Sequence, residues 1–204
     1  MGLTETGAQI LSNPLPPKTR KIGSPGIGYG NEIMVADDNQ NPLAANEEGE
    51  IMVRGSNVMQ GYLDRPEETA KTITADGWLR TGDLGRMDED GFVFVTGRIK
   101  ELIIKGGENI APREVDEALL EHDAVLEAAA FARPCKDYGQ RVEACVRLKD
   151  ERTVNENDLL EFCKNLIGAY KTPDHIHFLD DLPKGPSGKI QRMKLIDLVP
   201  AANG

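Results

Sequence analysis

The sequence predicts an α+β protein in two parts: a remnant β-barrel-like subdomain, then a small α+β C-terminal domain. Three observations carry this expectation. Residues 32–98 run as short apolar stretches separated by Asp, Asn and Gly turns. The character of the chain changes at Gly97–Lys100. Residues 99–204 hold two stretches of helical period among β-type runs. The division is therefore expected between residues 98 and 99.

Taken in order, residues 1–30 are rich in Gly, Pro, Ser and Thr and read as loops. Glu32–Ala36 and Glu50–Arg54 read as strands, and PEETAKTITA (66–75) as a short helix with Pro66 in its first turn. A strand starts after Asp76-Gly77, and Asp88–Gly91 turns it into Phe92–Thr96. In the second part, ELIIKGGEN reads as a strand and a Gly-Gly turn. A helix over Pro112–His122 follows, with Val115, Ala118 and Leu119 on one face. Ala124–Ala132 and Arg141–Leu148 are expected strands, and a helix capped by Asn155 or Asn157 runs to Ile167, where Gly168 stops it. His175–Leu179 reads as a strand and Lys189–Leu198 as a last short helix. With Asp137 before it, Tyr138-Gly139 reads as a turn between two strands.

The 204 residues are 39% apolar, 28% charged and only 5% aromatic, an ordinary globular composition that excludes disorder and collagen-like repeats. The formal charge is −10, shared as −6 over residues 1–98 and −4 over 99–204, so neither part is a basic nucleic-acid-binding domain. Cys135, Cys145 and Cys163 fit neither a disulfide framework nor a zinc spacing, and read as reduced core residues. No stretch reaches the ~20 apolar residues of a membrane span, and MGLTETGAQILSN has neither a basic start nor an apolar run of signal-peptide length. A cytoplasmic setting is expected. His175 and His177 would share a strand face without a third ligand.

Four segments could carry chemistry. In GLTETG (2–7), hydroxyls and a carboxylate beside Gly suit a polyphosphate–Mg²⁺ site, although such a loop is commonly an ordinary turn or cap. In GWLRTGDLG (77–85), Asp83 between glycines could accept both hydroxyls of a ribose, or simply form an Asx turn. In GRIKELIIKGGEN (97–109), the Gly106-Gly107 pair would let backbone approach a ligand, or make a tight hairpin after a linker. In PKGPSGKIQR (183–192), Lys184, Lys189 and Arg192, with Lys194 beyond, form an acid-free stretch in an acidic chain. That pattern points to an anion site served by a lysine on a mobile loop.

In this order and spacing the four segments resemble the second half of the adenylate-forming (AMP-binding) superfamily, most nearly its bacterial acyl-CoA synthetases, including oxalyl-CoA-synthetase-like members. The resemblance covers essentially the whole chain. It implies residues 1–98 as the distal part of an adenylation domain and 99–204 as a mobile C-terminal domain of the acyl-CoA synthetase type. It implies an AMP-forming acid–thiol ligase that makes an acyl-adenylate from a carboxylate and Mg-ATP, then the CoA thioester. ATP or AMP, a carboxylic acid and CoA are the implied small-molecule partners, with Mg²⁺; a homo-oligomer is allowed. By motif position, Thr4 would contact the nucleotide phosphate and Glu5 the Mg²⁺. Asp83 would hold the ribose with Arg98 assisting, and Lys100 would be the hinge. Gly106 and Gly107 would line the pantetheine tunnel, and Lys189 would be the adenylation lysine, contacting the nucleotide.

The chain departs from the family in three respects. It has no Ser/Thr/Gly-rich phosphate loop ending in Lys, it lacks the elements of an acyl pocket, and Met1 stands where members usually carry an aromatic residue. A truncated piece, inactive alone, is the expectation. A peptide-synthetase-type adenylation piece and a non-catalytic nucleotide-binding module are the alternatives.

Overall fold

A computed structural model describes residues 1–7, 9–186 and 188–200. The chain divides into two units, Met1–Lys100 and Glu101–Gly204.

The first unit begins with a 3₁₀ turn, Thr4–Thr6. Its strands are β1 (Leu11–Ser12), β2 (Ile27–Gly28), β3 (Glu32–Ala36) and β4 (Glu48–Arg54). Helix α1 (Pro66–Thr72) separates these from β5 (Leu79–Met87) and β6 (Val93–Arg98). Strands β3, β4, β5 and β6 form one antiparallel sheet in that order, and among the described residues β1 pairs only with β2. Among the described residues the sheet does not close into a barrel. Its curl comes from register slips in the β4–β5 and β5–β6 pairs. The free edge of β6 is partly covered, because Gly26 bridges to Val93.

The expectation that residues 1–30 form loops holds in outline, but they are not detached from the fold. Ile10 and Leu11 are fully buried against Ile51, Val53, Leu79 and Val93. Met1 and Leu3 pack beside them, and Ser24 and Lys21 bond to Val93 and Asp88, so the polar segment is docked over an apolar sheet face that must be covered.

The second unit contains β7 (Ile103–Lys105), β8 (Glu108–Ile110), α2 (Pro112–Leu120), β9 (Val125–Cys135) and β10 (Gly139–Leu148). Helix α3 (Glu156–Ile167), β11 (His175–Phe178), a 3₁₀ turn (Arg192–Lys194) and α4 (Leu195–Leu198) complete it. Strand β10 is the organising element. It pairs antiparallel with β9 along its length, parallel with β11, and with β7 at Gly139↔Lys105.

Both faces of this sheet are covered, which is why LEAAAFA shows no polar–apolar alternation. Ala128, Ala130, Val142, Ala144 and Val146 pack with Val115 and Leu119 of α2 and Leu159 and Cys163 of α3. On the other face Ala129, Phe131 and Cys145 meet Leu182, Leu195 and Val199. Helix α2 starts at Pro112, whose missing N–H costs nothing in a first turn. Helix α3 is capped by Asn155, whose side chain accepts from the Asp158 N–H. The three cysteines are free. Burial pushes the Cys145 thiol up to about 12 and that of Cys163 to about 11, so both remain thiols at neutral pH. Among the described residues no helix is long and apolar enough to cross a membrane.

One element differs in kind. Lys189–Leu198 is not a single helix: Ile190 bridges back to Lys184, and helical turns begin only at Arg192. Gly185 and Gly188 favour a hairpin over a helix start.

Candidate functional site

In the first unit the site grows out of β5. Between the pairs Glu50↔Leu84 and Met52↔Arg80, the single residue Ile51 of β4 faces Thr81, Gly82 and Asp83. The β5–β6 pairing slips again between Leu84 and Gly85. Asp83 thus sits between two irregularities, directly opposite Arg98 of β6. Its Oδ1 lies 2.8 Å from the Arg98 Nε, and Asp83 is only 5% exposed while the Arg98 side chain is 41% exposed. The Asp83 N–H donates to Thr81 Oγ1 at 3.1 Å, and the Thr81 hydroxyl donates to the Ile51 carbonyl at 2.7 Å. Asp83 and Arg98, fifteen residues and a hairpin apart in sequence, are cross-strand partners.

Arg98 opens onto a cleft of about 400 Å³ also lined by Leu3, Glu5, Glu50, Tyr62, Lys71, Arg80 and Lys100. Glu5 reaches it from the 3₁₀ turn, which Thr6 stabilises by exchanging hydrogen bonds with the Leu3 backbone. The Glu5 carbonyl accepts from the Met59 N–H, and its carboxylate accepts from the Tyr62 hydroxyl at 3.0 Å. Burial, reinforced by the Glu5 contact, pushes the Tyr62 phenol up, so it remains a donor. Thr4 is exposed on the same turn but does not line the cleft. Lys100 lines the cleft in the 3₁₀ turn Ile99–Glu101, where the first unit ends. Among the described residues there is no group of three or more His, Cys, Asp or Glu able to cage a metal.

In the second unit, Gly106 and Gly107 form the two-residue turn between β7 and β8, closed by Lys105↔Glu108. Their φ values of +56° and +89° put both in the left-handed region, as a type I′ turn requires. The Gly106 N–H donates to the Tyr138 carbonyl at 2.8 Å. Tyr170 donates to the Lys105 carbonyl, and the half-exposed rings of Tyr138 and Tyr170 stand beside Gly106. The pair is therefore a hairpin turn and also a strip of bare backbone between two aromatics.

Lys189 is exposed on the hairpin closed by Lys184↔Ile190, and its carbonyl accepts from the Gly185 N–H at 2.8 Å. Ser187, part of the loop expected to be mobile, lies outside the described residues. The basic stretch does not converge as its sequence suggests. Lys184 is paired with Glu127 at 2.8 Å and Asp181 at 3.1 Å. Arg192 is largely buried in ion pairs with Asp116 at 2.7 Å and Glu101 at 3.3 Å, and also donates to the Ala130 carbonyl. Acids distant in sequence fold against these cations, which a local reading of sign misses. Lys189, by contrast, pairs with no carboxylate among the described residues.

The sequence reading did not single out Glu50, Arg80, Tyr62 or Lys71. Only Glu50 left a signal, as the last acid of the run EEGE, directly abutting the apolar strand run IMV.

These geometries meet two family models. The one described as AMP-binding enzyme matches residues 1–63, and the AMP-binding enzyme C-terminal domain matches residues 114–189. The chain belongs to the adenylate-forming, AMP-binding enzymes. It is 49% identical over 197 residues to the sulfoacetate–CoA ligase of Cupriavidus necator, covering 97% of this chain and 39% of that protein. It is 42% identical over 191 residues to the oxalate–CoA ligase of Saccharomyces cerevisiae, covering 93% of this chain and 35% of that one. Among solved structures, ATP-bound MatB from Rhodopseudomonas palustris matches with a TM-score of 0.91 at 34% identity, over 97% of this chain and 39% of that chain. The o-succinylbenzoate CoA synthetase of Bacillus subtilis with its acyl-adenylate matches with a TM-score of 0.86 at 38% identity, over 100% of this chain and 41% of that one. The chain thus spans about two fifths of the length of these relatives.

Proposed function

We propose that the chain is the C-terminal part of an ATP-dependent acyl-CoA ligase, which activates a carboxylate as its adenylate and transfers the acyl group to CoA. The observation that carries this is the Asp83–Arg98 pair on a bulged strand, with Arg98 opening onto a cleft that Glu5 and Lys100 share. A carboxylate salt-bridged to Arg98, on a strand whose backbone is tied to Thr81, is a ribose acceptor oriented before binding. Glu5, fixed by Tyr62, would hold the Mg²⁺ of Mg-ATP, whose charge neutralises phosphate oxygens during adenylation. Thr4, exposed on the same turn, would donate to phosphate.

Both the attacking carboxylate and the α-phosphate are anionic, so a cation that reaches the developing charge lowers the barrier. Lys189, exposed and without an acidic partner among the described residues, is suited to that role. Lys100 is assigned to the hinge and Gly106-Gly107 to the pantetheine path, the latter supported by bare backbone between Tyr138 and Tyr170. The named relatives act with CoA on sulfoacetate and oxalate, which favours CoA over a carrier-protein thiol and a small acid as substrate. Three free thiols, those of Cys145 and Cys163 buried and that of Cys135 partly exposed, support a cytoplasmic setting.

The test is ATP–pyrophosphate exchange. The 204-residue chain alone is expected to show none, and the complete ligase to show carboxylate-dependent exchange followed by thioester formation. Clear exchange by the isolated chain would overturn its assignment as a part.

A further inference from the structure

Glu50 lies on β4 beside Ile51, Met52 and Val53 and is 8% exposed. A carboxylate so placed is costly unless its oxygens are used. Both are. Oε1 accepts from the Gly82 N–H at 3.0 Å, and Oε2 accepts from the Arg80 Nε at 2.8 Å. These partners flank the place where the strand ladder fails, with Ile51 facing Thr81, Gly82 and Asp83. A bulge leaves backbone N–H groups without ladder partners, and each must be satisfied elsewhere. The Thr81 hydroxyl takes the Asp83 N–H, and Glu50 takes the Gly82 N–H. Gly82 itself has φ +69°, which sets the sharp change of direction before Asp83.

We infer that Glu50 is a positioning residue whose carboxylate pins the β5 bulge and so aims Asp83 at the ribose hydroxyls. It acts through backbone and Arg80, not through the nucleotide. The inference rests on the ribose role proposed above for Asp83 and deepens it. It accounts for an acid inside an apolar strand, and for why the strand bends at Thr81–Asp83 rather than elsewhere.

The test uses the full 204-residue chain as wild type, Glu50→Met, Glu50→Gln and Asp83→Asn. Methionine fills the space without an acceptor, whereas glutamine keeps one for the Gly82 N–H. Two quantities are measured: amide exchange at Gly82, and the preference for AMP over 2′,3′-dideoxy-AMP. Wild type is expected to protect Gly82 and to prefer AMP by about tenfold or more, the size of one or two charge-assisted hydrogen bonds. Glu50→Met is expected to lose Gly82 protection and to fall to the preference of Asp83→Asn, and Glu50→Gln to retain most of both. An unprotected Gly82 amide in wild type overturns the inference even if Glu50→Met does not fold. Retained AMP preference in Glu50→Met overturns it while leaving the ribose role intact, as does a Glu50→Gln that falls as far as Glu50→Met. A wild type indifferent to the ribose hydroxyls overturns the role of Asp83, and this inference with it.

Discussion

Asp83 and Arg98 in the first unit face each other across β5 and β6 at 2.8 Å, backed by Thr81 and Glu50. Lys189 in the second unit stands exposed on a hairpin, while its basic neighbours Lys184 and Arg192 are committed to acids. The contrast follows from what each group would bind. A ribose is held in one geometry, so its acceptor gains from being locked by backbone. A phosphate that gathers charge during reaction suits an ammonium on a flexible stem, a point charge that can follow it. Ion pairs of Lys184 and Arg192 serve the fold instead and leave Lys189 among the cations without a carboxylate partner in the described residues.

The largest expected effect breaks this contrast at Lys189. In the complete ligase Lys189→Ala should cut adenylation by about 10²–10³-fold, the usual loss for one transition-state donor. Thioester formation from supplied acyl-adenylate should survive. Equal loss in both half-reactions would show that the lysine is not a displayed cation serving one step.

The structural ion pairs give the next effect. Glu143 is 1% exposed and accepts from Arg133 at 2.7 Å, Arg141 at 2.9 Å and His177 at 2.9 Å. Burial alone would raise its pKa, but the hydrogen bonds from His177 and the two arginines outweigh it and hold the carboxyl below its ordinary 4.5. A depressed folded pKa contributes stability that is full above the unfolded value and lost as pH falls through the folded one. Glu143→Gln should therefore cost about 3–5 kcal/mol at neutral pH, the cost of breaking a buried pair. The gap to wild type should narrow below pH 4.5 in urea titrations. A gap independent of pH would remove the electrostatic account.

Smaller effects distinguish turn from tunnel at Gly106-Gly107. An added Cβ at Gly107 meets nothing within 4 Å, so Gly107→Ala should cost only the left-handed backbone penalty, about 1–2 kcal/mol. At Gly106 the Cβ comes within 3.3 Å of Tyr138 and Tyr170, so Gly106→Ala should destabilise more in thermal melts. The reverse order would mean that the two tyrosines do not flank the turn. The smallest is the cap: Asn155→Ala should cost about 1 kcal/mol in stability and leave pyrophosphate exchange by the complete ligase unchanged.

Much of the secondary structure was legible. Glu32–Ala36 is a strand over the very residues its apolar run marks, and α2 and α3 follow from Pro112 and Asn155 with apolar residues at helical spacing. The C-terminal segment was read less well, because Ile190 and Leu195 carry apolar signals whether the chain is hairpin or helix, and Gly185 and Gly188 decide between them. In the site, the motifs drew attention to Asp83, Arg98 and Lys189. They could not show that Asp83 and Arg98 are cross-strand partners, since register depends on two bulges.

The sequence by itself determined the two-part order of elements, the family and the identity of the candidate groups, because local propensity, apolar period and motif spacing are properties of neighbouring residues. Tertiary structure alone decided which charges are spent and which remain. Arg192 looked like part of an anion site until Asp116 and Glu101 were brought against it. Glu50 was only the first residue of an expected strand until the bulge of β5 placed the Gly82 N–H on it. Hydrogen bonds need contact, and Coulombic attraction weakens with distance and solvent screening, so only the folded chain, which sets distances between residues far apart in sequence, decides these energies.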